Sequence, residues 1–212
     1  MTIPKLQYIS EGNTPEEHLE NIQNACTSGA ELVQLSLMNA SEETILEIAI
    51  AAREITSHFQ TRLIINTHYK IAKTVKADGV HLKKSDTSAT VARIHLYTWQ
   101  MIGGTANTLQ ECEALLSEEV DYINLGPFKS TKEDPSTLLG INGYSAIIDA
   151  LNTETPIIGF GSIKVKDVKN ILKTGITGIG VSEEITRNFD SIKVFNQLLS
   201  ASSTDELRHT FE

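Results

Sequence analysis

The sequence has few cysteines, few prolines and no long hydrophobic run. Of its 212 residues, two are cysteine and five are proline. Cys26 and Cys112 lie far apart in helix-like segments, so neither a disulfide framework nor a cysteine metal site is expected. No apolar run approaches the roughly 20 residues that a membrane-spanning helix needs. The first residues do not lead from a charged segment into an apolar one, so we expect no secretory signal and a cytoplasmic location.

Positively charged residues are also in short supply. The chain has 18 lysines and arginines against 27 aspartates and glutamates, a net charge of −9. A surface that binds nucleic acid or an anionic membrane needs an excess of positive charge, so neither is expected as a partner. With 40% hydrophobic and 21% charged residues, the composition is that of a globular protein. Its length fits one domain better than two.

Short apolar segments alternate with amphipathic ones along the whole chain. Within each apolar segment, polar and apolar residues do not alternate, which is typical of buried parallel strands. Among the amphipathic segments, one begins with Thr14, Pro15 and Glu17, the pattern of a capping box, and Ser41 caps another. The helix after the sixth strand is predicted at residues 144–151, and the last helical region lies beyond residue 185. The predicted strands are residues 6–9, 31–37, 62–66, 79–82, 100–103, 121–126, 156–160 and 177–181.

Eight strand–helix units in about 200 residues predict a compact (β/α)8 TIM barrel, an α/β fold with a single domain. We assign residues 1–200 to the barrel and residues 201–212 to a polar tail or a short further helix. An open, doubly wound sheet shares the same alternation and is the alternative, although it rarely uses eight units this small.

In a TIM barrel, chemistry takes place at the carboxyl ends of the strands. The seventh strand ends in Gly159-Phe160-Gly161-Ser162 and the eighth in Gly180-Val181-Ser182. Glycines let backbone N–H groups approach an anion, and phosphate sites after these two strands recur in this fold. The alternative is that the glycines serve tight turns, and Glu183 and Glu184 would repel a phosphate unless they point away.

Two other polar segments follow predicted strands. The loop after the sixth strand holds Lys129, Ser130, Thr131 and Lys132, a set that could hold a pyrophosphate or form a solvated surface loop. Asp86 follows the fourth strand, where it could bind Mg²⁺ together with waters and substrate phosphates. A helix cap is the alternative role for Asp86.

The histidines give no nucleophile or metal pattern. His81 lies within a strand and is expected to pack in the barrel with a hydrogen bond, whereas His68 ends the third strand and is a better site candidate. The remaining four, on helices or their ends, are predicted to be surface residues: His18, His58, His95 and His209.

The succession of these segments resembles the thiamine-phosphate synthase family and its close relatives, the thiazole tautomerases. The likeness runs from Leu6 to about Ile185, and the order and spacing of the segments carry it. The segments are residues 31–35, 63–66, 77–82 with Asp86 behind them, 121–127 with Lys132 and Gly140, 156–161 and 175–181.

The resemblance implies a (β/α)8 barrel that joins two phosphorylated small molecules in thiamin biosynthesis. A hydroxymethylpyrimidine diphosphate loses pyrophosphate, and the ring nitrogen of a thiazole phosphate attacks the exposed methylene carbon. Mg²⁺ and basic groups hold the diphosphate, so catalysis consists of electrostatic stabilisation of the leaving group and ordering of two substrates. A homo-oligomer is compatible with this assignment.

The resemblance also implies a role for individual residues. Gln34 would hold the pyrimidine, Asn66 and Lys132 would contact pyrophosphate, and Asp86 would bind Mg²⁺. Thr105 corresponds to a hydroxyl residue near the reaction centre. Thiazole phosphate would be held by Ser130, Thr131, Gly161, Ser162 and Ser182.

The chain departs from the family pattern at charged positions. Ser36 and Met38 stand where the family has Arg and often Lys, and Thr67 stands at the position of a metal-binding Asp. Lys83 and Lys84 replace a Gly-Gln pair. We expect Lys84 to contact substrate and, with Lys83 and Lys129, to restore part of the lost positive field.

Two further departures affect the choice of reaction. Asn107 replaces the His that serves thiazole tautomerases, and Glu183 stands where Ser is expected after the eighth strand. Three functions therefore stay open: a divergent thiamine-phosphate synthase, a tautomerase-like enzyme acting on a phosphorylated ring, and a non-catalytic protein that binds a phosphorylated ligand. The first is the main hypothesis, with Lys132, Thr105 and Asn107 as catalytic candidates and Asp86 and Thr67 as metal-site candidates.

Overall fold

Eight parallel strands close into a barrel in the computed structural model of the protein. The structure describes residues 3–37, 40–129 and 138–209, the last nine of these by their backbone alone. Each strand pairs with its neighbours in chain order, and β1 pairs with β8 to close the ring. The predicted (β/α)8 barrel is thus confirmed. The strands are β1 (Leu6–Ile9), β2 (Leu32–Leu35), β3 (Arg62–Asn66), β4 (Gly79–Leu82), β5 (Met101–Ala106), β6 (Tyr122–Leu125), β7 (Ile157–Phe160) and β8 (Gly178–Val181).

Helices follow every strand, and polar caps begin several of them. The Thr14 hydroxyl accepts the N–H of Glu17, as the capping box predicted. The Glu17 carboxylate, however, accepts the N–H of Asn13, one residue earlier than the pattern places it. Ser41 caps the second helix in the same way. The helices are α1 (Pro15–Thr27), α2 (Glu42–His58), α3 (Tyr69–Thr74), α4 (Ala89–His95), α5 (Leu109–Ser117), α6 (Gly140–Ala150), α7 (Val168–Leu172), α8 (Glu183–Arg187) and α9 (Ser191–His209).

The seam between the first and last strands joins distant parts of the chain. Leu6 pairs with Ile179, and Tyr8 pairs with Val181. The Tyr8 hydroxyl also lies 2.9 Å from the Thr186 hydroxyl, 178 residues away. The carboxyl ends of β1 and β8 are therefore held side by side.

Side chains alternate between two buried environments along each strand. The outward side chains pack beneath the helices in one large apolar core. Inside the barrel, Leu32, Ile64 and Met101 form a separate small apolar cluster. The next inward positions toward the carboxyl ends are polar and buried: Gln7, Gln34, Asn66, His81 and Asn124. The floor of the barrel is apolar, and the layer below its mouth carries hydrogen-bonding groups.

Three expectations about elements need correction. β5 runs to Ala106 instead of ending at Gly103, so Thr105 lies in a strand and not in a loop. α6 begins at Gly140, four residues before its predicted start. His18, expected on the surface, is buried at 6% exposure because it lies on the same face of α1 as Ile22 and Cys26.

Within the described residues, no helix combines the length and apolar character needed to cross a bilayer.

Candidate active site

A cavity of about 880 Å³ opens where β1, β2, β7 and β8 end. Three residues predicted to hold phosphate, Gly161, Ser162 and Ser182, line it. Residues of the loop from β1 to α1 and of α1 itself also line the cavity, among them Ser10 and His18. The cavity is large enough for a phosphorylated small molecule.

The turn after β7 is shaped by backbone conformation. Gly161 has φ +106° and Ser162 has φ +47°. A Cβ at Gly161 would lie 2.6 Å from Cβ of Pro127, and the carbonyl of Gly161 accepts the N–H of Lys129 at 3.1 Å. Glycine here serves a tight turn, and the same turn lines the cavity.

Carboxylates dominate the charge around the cavity. Glu11, Glu183 and Glu184 line it, together with Lys164. Glu183 forms an ion pair with Arg187, and the Ser182 hydroxyl donates to Glu11 at 3.4 Å. A phosphate at this place would depend on backbone N–H groups more than on side-chain charge.

Buried amides lie in the polar layer inside the barrel. The Gln34 amide donates to Oδ1 of Asn66 at 3.3 Å, and the Asn66 amide donates to the Ser36 hydroxyl at 3.1 Å. Gln7 receives the amide of Asn124 at 3.3 Å. Three atoms of these amides are buried without a partner among the described residues: Gln34 Oε1, Gln7 Nε2 and Asn124 Oδ1. Since unpaired buried polar groups are costly, they suit a ligand with its own donors and acceptors.

The metal-site candidates lie after β3 and β4. Oδ2 of Asp86 accepts the N–H of Lys83 at 2.7 Å and so shapes its own loop. Oδ1 of Asp86 has no hydrogen bond from the described residues and is available to a cation. Thr67 has φ +72°, and its N–H donates to the carbonyl of His81 at 2.7 Å. In the described part of the chain, no group of three or more His, Cys, Asp or Glu side chains could hold a metal by itself.

Two more candidate site residues, Lys84 and Asn107, are bonded to neighbouring segments of the protein. Lys84 forms an ion pair with Glu111. The Asn107 amide donates to the carbonyl of Gly126 at 2.6 Å, and its N–H donates to Glu111 at 2.8 Å. Although burial raises the pKa of Glu111, the hydrogen bonds from Lys84 and Asn107 hold it below its usual range. Asn107 thus ties the end of β5 to the end of β6.

Thr105 and the loop after β6 complete the predicted set. The Thr105 hydroxyl lies 2.8 Å from Nε2 of His81, inside the barrel. Lys129 pairs with Asp167 at 2.6 Å. Ser130, Thr131 and Lys132 lie outside the described residues, as does Met38.

Sequence reasoning missed a buried pair at the cavity wall. Nδ1 of His18 lies 2.8 Å from the Ser10 hydroxyl, which also accepts the N–H of Ser36 at 3.0 Å. Burial lowers the pKa of His18, and a hydrogen bond with Gly12 offsets part of this shift. The signal that could have identified His18 is its spacing of four and eight residues from Ile22 and Cys26.

Comparisons with known proteins agree with this architecture. The family described as thiamine monophosphate synthase matches residues 6–185. The chain is 39% identical to the thiamine-phosphate synthase of Flavobacterium psychrophilum, over 92% of this chain and 97% of that protein. It is 31% identical to the thiamine-phosphate synthase of Bacteroides fragilis, over 92% and 98% of the two chains.

A solved structure shows the same fold. Thiamine phosphate pyrophosphorylase from Pyrococcus furiosus superposes with a TM-score of 0.80 at 24% identity, covering 95% of this chain and 96% of the other. Taken together with the match over residues 6–185, these relatives establish that the chain belongs to the thiamine monophosphate synthase family.

Proposed function

We propose that this chain is a thiamine-phosphate synthase, which joins hydroxymethylpyrimidine diphosphate to thiazole phosphate and releases pyrophosphate. The observation that carries the proposal is Oε1 of Gln34, which has no partner among the described residues and is buried beside Asn66 below the mouth of the barrel. This residue has the role of pyrimidine ligand in the family pattern. A cytoplasmic location and a homo-oligomer remain predictions.

The pyrimidine ring would lie against the buried amides. An aminopyrimidine carries an exocyclic N–H donor next to a ring-nitrogen acceptor. Gln34 offers an acceptor that no described residue uses. Oδ1 of Asn66 accepts the Gln34 amide N–H and so fixes the orientation of the Gln34 side chain. Because Asn66 is itself anchored to Ser36, the two amides form a preorganised edge for a flat heterocycle.

Thiazole phosphate would occupy the cavity between β7 and β8. Gly161, Ser162 and Ser182 line its wall and would offer backbone N–H groups as donors. The carboxylates nearby oppose a dianion, although Arg187 offsets the charge of Glu183. We therefore expect this subsite to bind phosphate more weakly than a lysine-lined one.

The diphosphate would lie toward β3, β4 and the loop after β6. Asp86 presents one carboxylate oxygen that accepts no hydrogen bond from the described residues. Lys132 would add positive charge, and Lys84 would do so by exchanging Glu111 for the diphosphate. Bound Mg²⁺ would supply neutralisation of the diphosphate, held through Asp86 and the phosphate oxygens with water in its other positions. Thr105 would donate to the departing pyrophosphate, and the two substrates would be ordered by the barrel walls.

The two alternatives have less support. A tautomerase of the related kind uses a His at the position of Asn107, and the Asn107 amide here is engaged with Gly126. A non-catalytic role would follow from the lost Arg and Lys, but the family match over most of the chain favours the synthase.

The direct test is pyrophosphate release from the purified protein with both substrates and Mg²⁺. We expect release only when both substrates are present, and a fall of about tenfold or more in Lys132→Ala, since a charge-assisted hydrogen bond contributes roughly 1.5–3 kcal/mol. Lys169→Ala, which removes one exposed lysine from α7, is the control and should keep full activity. Absence of release from protein that unfolds cooperatively would overturn the proposal.

A second pair of variants separates the metal role of Asp86 from its loop role. Asp86→Asn keeps an oxygen that can accept the N–H of Lys83 but removes the negative charge, whereas Asp86→Ala loses both. We expect Asp86→Asn to keep wild-type thermal stability while raising the Mg²⁺ concentration needed for half-maximal release. An unchanged Mg²⁺ requirement in Asp86→Asn would exclude Asp86 as a metal ligand.

A further inference from the structure

Three side chains form a hydrogen-bonded chain inside the barrel, across β4, β5 and β6. The Tyr122 hydroxyl lies 3.2 Å from Nδ1 of His81, and Nε2 of His81 lies 2.8 Å from the Thr105 hydroxyl. Tyr122 and His81 are 0% and 3% exposed, and their rings stack at 5.6 Å between centroids. Thr105, half-buried near the carboxyl end of β5, is the member nearest the mouth of the barrel.

The sequence makes room for this chain at Gly103. A Cβ added at Gly103 would overlap the Tyr122 ring, because both residues point into the barrel. Gly103 pairs with His81 on one side and with Tyr122 on the other. The glycine thus lets a tyrosine ring lie across β5 and reach the histidine.

His81 has one hydrogen-bond partner at each ring nitrogen, and the Tyr122 hydroxyl can donate to it only if Nδ1 carries no proton. Burial lowers the pKa of its imidazole to about 3, and the charge of Lys83 acts in the same direction. A neutral imidazole has one N–H donor and one nitrogen acceptor. His81 must therefore accept a hydrogen bond at one ring nitrogen and donate one from the other.

The Tyr122 hydroxyl determines that sense. Burial raises the pKa of the Tyr122 phenol, so the proton stays on the oxygen. Nδ1 of His81 is the only acceptor for it among the described residues, and a buried O–H without an acceptor is strongly disfavoured. The phenol therefore donates to Nδ1, the imidazole proton lies on Nε2, and Nε2 donates to the Thr105 oxygen.

We propose that Tyr122 and His81 are positioning residues that leave the Thr105 hydroxyl as a donor directed at the reacting centre. The proposal rests on the proposed synthase function for the identity of the acceptor, an oxygen of the departing diphosphate. With the opposite tautomer, the Thr105 hydroxyl would donate its proton to His81. Only its oxygen lone pairs would then face the substrate, and they would repel an anion. The buried Tyr122 thereby determines whether Thr105 attracts or repels the diphosphate oxygen.

The tautomer can be measured without any substrate. We expect ¹⁵N NMR of the histidine side chains to show His81, identified by the loss of its signals in His81→Gln, as the neutral Nε2–H form from pH 5.5 to 8. In Tyr122→Phe, we expect Nδ1 to gain a measurable share of the proton. A protonated or Nδ1–H imidazole in the wild-type protein would overturn the proposal, whether or not the chain makes thiamin phosphate.

Kinetics test whether Tyr122 acts through Thr105. We expect Tyr122→Phe and Thr105→Val each to lower kcat by about tenfold with KM for both substrates unchanged, the loss of one directed hydrogen bond. The double variant should be no slower than Thr105→Val alone, because the two residues serve one hydroxyl. A loss of kcat in the double variant equal to the product of the two single losses would contradict the proposal.

Tyr144→Phe provides the matched control for removing a buried phenol. Its hydroxyl donates to carbonyls of Leu125 and Phe160 and lies on the other side of the strand layer, toward the helices. We expect Tyr144→Phe to lower thermal stability without the shift in the His81 tautomer. A wild-type protein with the expected tautomer and no turnover would refute the synthase function and leave the hydrogen-bond chain standing.

Discussion

Thr67 has a backbone conformation that is unfavourable for a β-branched residue. Its φ of +72° lies in the left-handed region, where Asn and Asp occur several times more often than other residues with side chains. The N–H bond to His81 holds the backbone in place. The family resemblance implies a metal-binding Asp at this position, and an Asp would suit this backbone conformation better than Thr67 does.

Thr67→Asp should therefore restore the ligand and relieve strain. We expect the free energy of unfolding to rise by a few tenths to about 1 kcal/mol, measured by urea denaturation. Thermal stabilisation by pyrophosphate should also become more strongly dependent on Mg²⁺. Thr67→Gly is the control, since it relieves strain without adding a carboxylate and should leave the Mg²⁺ response as it is.

Gly103 is the second residue with a predictable cost. Gly103→Ala should destabilise the protein by about 1–3 kcal/mol, because the new methyl group overlaps a ring that is packed on all sides. Gly180→Ala, another inward-facing glycine of the barrel, meets nothing closer than 3.3 Å and should cost much less. Equal losses in the two variants, measured by denaturant unfolding, would contradict the steric explanation.

Among the elements, α2 is capped by Ser41, the residue just before its first turn. The Ser41 hydroxyl accepts the N–H of Thr44 at 3.1 Å and satisfies a donor that the helix leaves unpaired. Ser41→Ala should lower the free energy of unfolding by about 1 kcal/mol. Ser57→Ala, the same change at an exposed position near the end of α2, should have almost no effect. Calorimetry on both variants tests the difference.

The strands could be predicted closely because their apolar runs are short and bounded. Seven of the predicted strands match β1–β4 and β6–β8 to within two residues at either end. The predicted fifth strand ends three residues before β5 does, because two consecutive glycines, Gly103 and Gly104, are unfavourable in a strand. Tyr122 and Leu115 occupy the space that their missing side chains leave, and such a tertiary reason is invisible in local sequence.

The composition of the site was predictable from topology, whereas its bonds were not. Parallel strands in a barrel bring their carboxyl ends together, so polar residues after each strand converge. The pairing of Asn107 with Gly126 and of Lys84 with Glu111 depends on how separate loops meet in space. The tautomer of His81 follows from a tyrosine 41 residues further along the chain.

Across the whole molecule, the buried imidazoles link stability to pH. His81 has a folded pKa of about 3 and a usual unfolded value of about 6.5. The contribution of His81 to the free energy of unfolding is fully present above pH 6.5 and is lost as the pH falls. Below that pH the unfolded chain binds a proton at His81, whereas the folded protein does not. Burial lowers the pKa of His18 as well, so its effect has the same sign.

We therefore expect the free energy of unfolding to fall between pH 7 and pH 5, with about 2 kcal/mol of that fall due to His81. His81→Gln should start from a lower stability but lose about that much less over the same interval. Urea titrations at pH 7, 6 and 5 measure both slopes, and parallel slopes for the two proteins would show that His81 takes up a proton in the folded state.

The seam between β1 and β8 also bears on how the protein is made. The cavity is bounded by the first two strands and the last two, and β1 finds its second neighbour only when β8 is in place. During synthesis the amino-terminal units emerge first, and their open edge waits for a strand translated some 170 residues later. The side of the cavity that β7 and β8 supply is therefore translated last, and a chain terminated before β8 would lack part of the cavity lining.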